Sequence, residues 1–113
     1  MSRPNISSFR KIGNTIYTSG VTGNPGDVPT QIRSVMEKLR MVLTDAGTGF
    51  ENVVRATVYL SDLSYREQFL NDIWNEYFPD AKNSPARTTV LVGLGREIFV
   101  EIEMIARSAQ EVE

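Results

Sequence analysis

At 113 residues the chain is long enough for one compact domain with a real core and too short to divide comfortably in two, so a single domain over residues 1–113 is expected. Twelve basic against 14 acidic residues give a net charge of −2 with no Lys/Arg block, which argues against a nucleic-acid partner held through its phosphates. With neither cysteine nor histidine, disulfides, thiolate nucleophiles, the usual zinc clusters and Ser-His or Cys-His pairs are excluded, leaving Arg, Asp/Glu, Tyr, Ser/Thr, Lys and backbone groups to carry any chemistry.

The opening residues, MSRPNISSFRK, contain no apolar signal core, and nothing approaches the roughly 18 apolar residues of a membrane span, so a soluble cytoplasmic protein without a membrane partner is expected. Phe9 to Ser19 reads as a hairpin, two β-prone arms around Gly13-Asn14. Gly20 to Pro29, dense in Gly and Pro, reads as an irregular loop. From Thr30 to Ala46 the positions Ile32, Val35, Met36, Leu39, Val42, Leu43 and Ala46 keep helical spacing, and Gly47 is placed to end the helix. Asn52 to Leu60 alternates Val54, Ala56, Val58 and Leu60 against Arg55, Thr57 and Tyr59, the period of a strand with one face in the core.

Ser64 with Glu67 has the spacing of a capping box, followed by the apolar stripe Phe69, Leu70, Ile73, Trp74 and Tyr77 of a second helix that ends near Pro79. Strand patterns at Arg87 to Val92 and Phe99 to Ala106 flank the short Gly93–Glu97 connection. The predicted order is β-β-α-β-α-β-β, an α+β architecture with two helices on one face of a mainly antiparallel or mixed sheet. The last strand sets Val100, Ile102 and Met104 against Glu101, Glu103 and Ile105, and Arg87, Thr89 and Leu91 oppose Thr88, Val90 and Val92. Both sides of the sheet therefore carry some apolar side chains, and its mixed face is suited to an interface between copies of the chain.

Arg87, two residues after Pro85 and at the mouth of an apolar strand, must reach water or meet an anion. If the last two strands pair across their short connection, Arg87 approaches Glu101 or Glu103. An arginine fork for a carboxylate and a glutamate for a water molecule make a minimal kit for hydrolysing a small carboxylated substrate. On spacing alone a structural ion pair remains the favoured alternative. Ser19-Gly20, opening the glycine-rich loop, offers backbone N–H groups for an anion or is a plain turn, with the turn favoured. On helical spacing Asn71 points to solvent or to a neighbouring loop, and Trp74, Tyr77 and Phe78 are core.

Six blocks in order, IYTSG (Ile16 to Gly20), Gln31 before a helix ending VLTDAG, VVRATVYLSD (Val53 to Asp62), FLNDIWNEYFP (Phe69 to Pro79), PARTTV (Pro85 to Val90) and VEIEMIA (Val100 to Ala106), resemble the Rid family, also called YjgF-like or reactive intermediate/imine deaminases. The resemblance runs from about Gly13 to Ala106. It implies a chorismate-mutase-like fold assembled as a homotrimer, with sites in clefts between subunits and no metal or organic cofactor. It further implies hydrolysis of enamine/imine carboxylates of the 2-aminoacrylate/2-iminopropionate type to 2-keto acids and ammonia. Arg87 would bind the substrate carboxylate, Glu101 would orient or activate water, and Ser19, Gly20 and Asn71 would line the site.

The chain departs from the family pattern in four places: it has no Gly-Pro-Tyr segment ahead of the first strand, Val21 stands where glutamine is common, Thr89 stands where cysteine is frequent, and the GLGREIF connection between the last strands is shorter than is typical. These changes bear on pocket shape, so a 2-keto-acid binding module with little catalysis and a deaminase of another enamine such as 2-aminomuconate stand as alternatives. A ribonuclease is disfavoured by the acidic balance and the absence of histidine.

Overall fold

A computed structural model describes residues 3–109. Strands β1 (Phe9–Ile12) and β2 (Thr15–Thr18) form the predicted hairpin, with Gly13 at φ 59° as the first turn residue, where a right-twisted two-residue turn needs a backbone free of Cβ. The Gly20–Pro29 segment is less irregular than its composition predicts, because Val21–Thr22 makes a two-residue strand, β3.

Helix α1 (Val28–Asp45) starts two residues before the predicted Thr30. Asp27 caps it by accepting the Thr30 N–H at 2.9 Å, and Pro29 is tolerated in a first turn whose N–H groups have no intrahelical acceptor. Gly47, at φ 86°, follows the helix end as expected. Strand β4 (Val53–Leu60) buries Ala56, Val58 and Leu60 as the alternation predicts, but Val54 is 49% exposed and Val53 is buried in its place. A register irregularity between Val53 and Arg55 supplies the reason: a bulge turns one residue of the strand outward.

The second helical segment is not capped by Ser64 and Glu67. Asp62 does this instead, its Oδ1 accepting both the Ser64 N–H (2.9 Å) and the Ser64 hydroxyl (2.7 Å). Arg66–Leu70 is then wound as a π-turn before helix α2 (Asn71–Tyr77). Strands β5 (Ala86–Leu91) and β6 (Val100–Arg107) follow.

The sheet order is β1-β2-β6-β4-β5, with β3 also on β6. The expected pairing of the last two strands is therefore overturned: β4 lies between them, parallel to β5 and antiparallel to β6. The α2 crossover joins β4 to a parallel β5, and this leaves the centre of the sheet for β4. Beside β6, Tyr17 pairs with Ile105 and Val21 with Ile102, four steps on one side against three on the other, so Thr18–Gly20 bulges out of the ladder.

One face of this α+β sheet is packed. Ile16, Ala56, Val58, Leu60, Val100, Ile102, Met104 and Ala106 meet Ile32, Val35, Met36, Leu39 and Leu43 of α1 and Ile73 and Trp74 of α2 in one buried cluster. Each large side chain so buried contributes about 1.5–3 kcal/mol. Gln31, 2% exposed, lies at the rim of this core: its Nε2 donates to the Gly26 and Glu97 carbonyls (3.1 and 2.8 Å) and its Oε1 accepts the Phe99 N–H (2.9 Å). It thereby ties α1 to the loops that precede it and precede β6. The opposite face carries Tyr17, Thr57, Tyr59, Val90, Glu101, Glu103 and Ile105, with Tyr17 46% and Val90 36% exposed.

Candidate functional site

Pairing across the sheet fixes which way each candidate points. Arg87 is opposite Ala56, which is opposite Met104, and both of those are buried under the helices, so Arg87 belongs to the helix side. Glu101 is opposite Tyr59, which is opposite Val90, three positions along the same strands and therefore on the other face. Within one chain Arg87 and Glu101 cannot meet, and neither Glu101 nor Glu103 forms the ion pair that spacing favoured for Arg87.

What Arg87 meets instead is α2. Its Nη2 donates to Asn71 Oδ1 at 2.7 Å, and the guanidinium carbon lies 5.1 Å from the ring centroid of Trp74. Asn71 thus points neither to solvent nor to a loop, and Trp74 is at once core, 6% exposed, and a platform for the cation. Arg87 is half-buried and has no carboxylate partner among the described residues. Burial, and then the like charge of Arg66, hold its pKa below the ordinary arginine value. One amide oxygen fixes the plane of the fork and leaves the remaining N–H groups for an acceptor that the chain does not itself supply.

Ser19, Gly20 and Glu101 gather on the other face. A Cβ built on Gly20 would run into the Glu101 carboxylate, so the absence of a side chain at residue 20 is what admits that carboxylate. Ser19 is fully engaged with the leader: its Oγ donates to the Ser7 carbonyl at 2.6 Å and its N–H to the Ser8 carbonyl at 2.9 Å. Of the Ser19-Gly20 backbone N–H groups considered for an anion, that of Ser19 is therefore already taken.

The two glutamates differ in a way that the EIE sequence does not show. Glu103 Oε1 accepts the Tyr59 hydroxyl at 2.6 Å, and this bond, more than burial, raises the Tyr59 pKa. Glu101 takes no hydrogen bond or ion pair among the described residues and keeps its lone pairs for water. Tyr59 was not among the predicted site residues: the β4 alternation put it on the face away from Ala56, Val58 and Leu60, and only the strand register sets it across from Glu101.

Neither of two clefts on the helix side includes Arg87 or Glu101. One, of about 350 Å³, is lined by residues that include Arg40, Phe50 and Tyr77. The other, of about 390 Å³, borders Trp74 and Phe78. A small-molecule site is normally concave, and each group of candidate residues here forms one wall without the other.

The family model described as endoribonuclease L-PSP matches residues 3–108. A RutC family protein of Pyrococcus abyssi is 36% identical over 105 residues, 85% of this chain and 80% of that one. Among solved structures, a member of the YjgF protein family from Neisseria meningitidis superposes with a TM-score of 0.88 at 26% identity, covering 96% of this chain and 92% of that one. RidA from an Antarctic Psychrobacter superposes with a TM-score of 0.84 at 30% identity, covering 95% and 91%. With a sheet and two helices matching those neighbours and nearly the whole chain matched by the family model, the protein belongs to the endoribonuclease L-PSP family, known equally as the YjgF, RutC or Rid family.

Proposed function

We propose that this chain hydrolyses small enamine/imine carboxylates of the 2-aminoacrylate/2-iminopropionate type to 2-keto acids and ammonia, in clefts between the subunits of a homotrimer. The observation that carries the reading is Arg87: a half-buried guanidinium oriented by Asn71 and Trp74 and without a carboxylate partner among the described residues. Such a fork suits a substrate carboxylate bound through two parallel N–H bonds. Because Glu101 lies on the opposite face, the Ser19–Gly20–Glu101 wall of one copy would have to face the Asn71–Arg87 wall of another. The exposed Tyr17 and Val90, on the same face as Glu101, give that face apolar surface to bury between copies.

The chemistry asks little beyond position. A protonated imine carbon is already electrophilic, so a held carboxylate and an aligned water meet the main requirement. As water adds to carbon 2, Glu101 takes one of its protons and passes it to the nitrogen of the carbinolamine. The C–N bond then breaks with its electron pair on nitrogen. The remaining hydroxyl becomes the keto group, and its proton, taken by Glu101, leaves with ammonia as ammonium.

The ribonuclease activity in the family's description is disfavoured by the net charge of −2 and the lack of histidine. The absent Gly-Pro-Tyr segment favours, as a second reading, a module that binds 2-keto acids without turnover. An assay with freshly generated 2-iminopropionate, read as keto-acid formation above the spontaneous rate, separates the two. The deaminase reading predicts turnover by the wild type and its loss in Arg87→Ala with circular dichroism unchanged. An active Arg87→Ala sinks the assignment, and ligand-induced thermal stabilisation without turnover favours the binding module.

A further inference from the structure

Arg87 is not the lone cation at its wall. The π-turn Arg66–Leu70 places Asn71 one π-turn after Arg66, and the Asn71 N–H donates to the Arg66 carbonyl. Residues related by a full turn emerge on the same side of the helix, so Arg66 rises beside Asn71, whose side chain holds Arg87. The turn keeps the apolar stripe intact, with Leu70, Ile73 and Trp74 buried.

Arg66 is poorly neutralised. Its one ion pair among the described residues is with its neighbour Glu67 at 3.6 Å, with the side chains 42% and 77% exposed, a geometry that contributes little. Its charge reaches Arg87, where it opposes the guanidinium's own charge, and Glu67 is the one carboxylate paired with either arginine among the described residues. Two arginines joined through Asn71, one to its backbone and one to its side chain, with a single weakly paired acid beside them, can take more negative charge than one carboxylate provides.

We propose that Arg66 is a specificity-determining residue and that the substrate is a dicarboxylate, its 2-imino carboxylate on Arg87 and its distal carboxylate on Arg66. This rests on the deaminase reading for the role of Arg87 and adds the identity of the substrate's far end. Carboxylate is the fitting second anion because both guanidinium groups are planar forks.

The matched probes are 2-oxopentanoate and 2-oxoglutarate, which share a five-carbon chain and differ in a terminal methyl against a carboxylate. Calorimetric titration at fixed ionic strength into the wild type, Arg66→Gln, Arg66→Lys and Arg87→Ala is the test, with melting temperatures recorded to show that each variant is folded. The wild type is expected to bind 2-oxoglutarate about tenfold tighter than 2-oxopentanoate. Arg66→Gln is expected to abolish that preference while changing 2-oxopentanoate affinity by less than about twofold, and Arg66→Lys to restore part of it. Equal affinities in the wild type, or a preference that survives Arg66→Gln, overturn the dicarboxylate inference. In either case the deaminase reading stands if 2-oxopentanoate binding still requires Arg87. Failure of both acids to bind overturns the inference and the reading together.

Discussion

Replacing Gly20 by alanine adds one carbon at the point where the Glu101 side chain passes. That carbon would sit 3.0 Å from Glu101 Cδ and 3.3 Å from Cγ, with a carboxylate oxygen closer still. Ordinary contact begins near 3.4 Å, so the carboxylate must retreat by about 0.5–1 Å. The retreat is cheap for the fold, because Glu101 is half-exposed and Gly20 is not in the positive-φ region. A glycine-to-alanine change at such a position raises stability by about 0.4–1 kcal/mol through the unfolded chain, offsetting the crowding. For catalysis the same displacement is severe: misplacing a reacting group by about 1 Å costs up to roughly 100-fold. Gly20→Ala should therefore leave the urea midpoint unchanged or slightly raised while 2-iminopropionate turnover falls about 10- to 100-fold. Gly93→Ala, where a new Cβ meets nothing within 4 Å and the φ is not positive, should raise the midpoint by the same unfolded-chain effect and leave turnover unchanged. Full turnover in Gly20→Ala would refute the argument, since Glu101 would then not work from the position next to Gly20.

Two other outcomes are expected from the same geometry. Glu101→Gln should slow turnover far more than Glu103→Gln, because Glu103 is engaged by the Tyr59 hydroxyl while Glu101 is free, and the reverse ranking in steady-state kcat would assign the water to the wrong glutamate. Tyr77, partly buried and bonded to Glu37 at 2.6 Å, has its pKa pushed from 10.0 up to about 12 by burial first and that bond second. A raised tyrosine pKa means that the folded state holds the proton longer, so the stabilisation is complete below pH 10 and is lost as pH rises from 10 to about 12. Chemical denaturation across that window should show the wild type losing its advantage over Tyr77→Phe; a constant difference would contradict it.

Much of the fold was legible because the buried face writes its period into the chain. The α1 stripe from Ile32 to Leu43 and the alternation of Ala56, Val58 and Leu60 follow from the need to bury one side of each element. What local pattern could not supply was order in space. Gly93–Glu97 is short enough for a hairpin, yet β4 takes the place between β5 and β6, since partner choice depends on the crossover made by α2. The π-turn at Arg66–Leu70 was invisible for a related reason: Leu70, Ile73 and Trp74 satisfy helical spacing whichever way the preceding turn is wound. At the site, Arg87 stood out as a charge beside a buried strand, but its partner did not. The ion pair favoured on spacing assumed one shared face, and the strand registers place Arg87 and Glu101 on two. Asn71 read as a solvent residue because nothing in its own helix reveals the arginine that approaches from β5.

That division between faces is the centre of the account, and mixing two inactive variants tests it most directly. Arg87→Ala chains keep an intact Glu101 wall and Glu101→Gln chains an intact Arg87 wall, so each alone should lack turnover. Unfolded together in equal amounts and reassembled, they should form some clefts with both walls intact. Random mixing in a closed ring that joins unlike walls predicts about a quarter of wild-type activity. Recovery near that level is the expected result. Mixtures no more active than the separate variants, although exchange of subunits is shown by mass spectrometry, would contradict a site shared between copies.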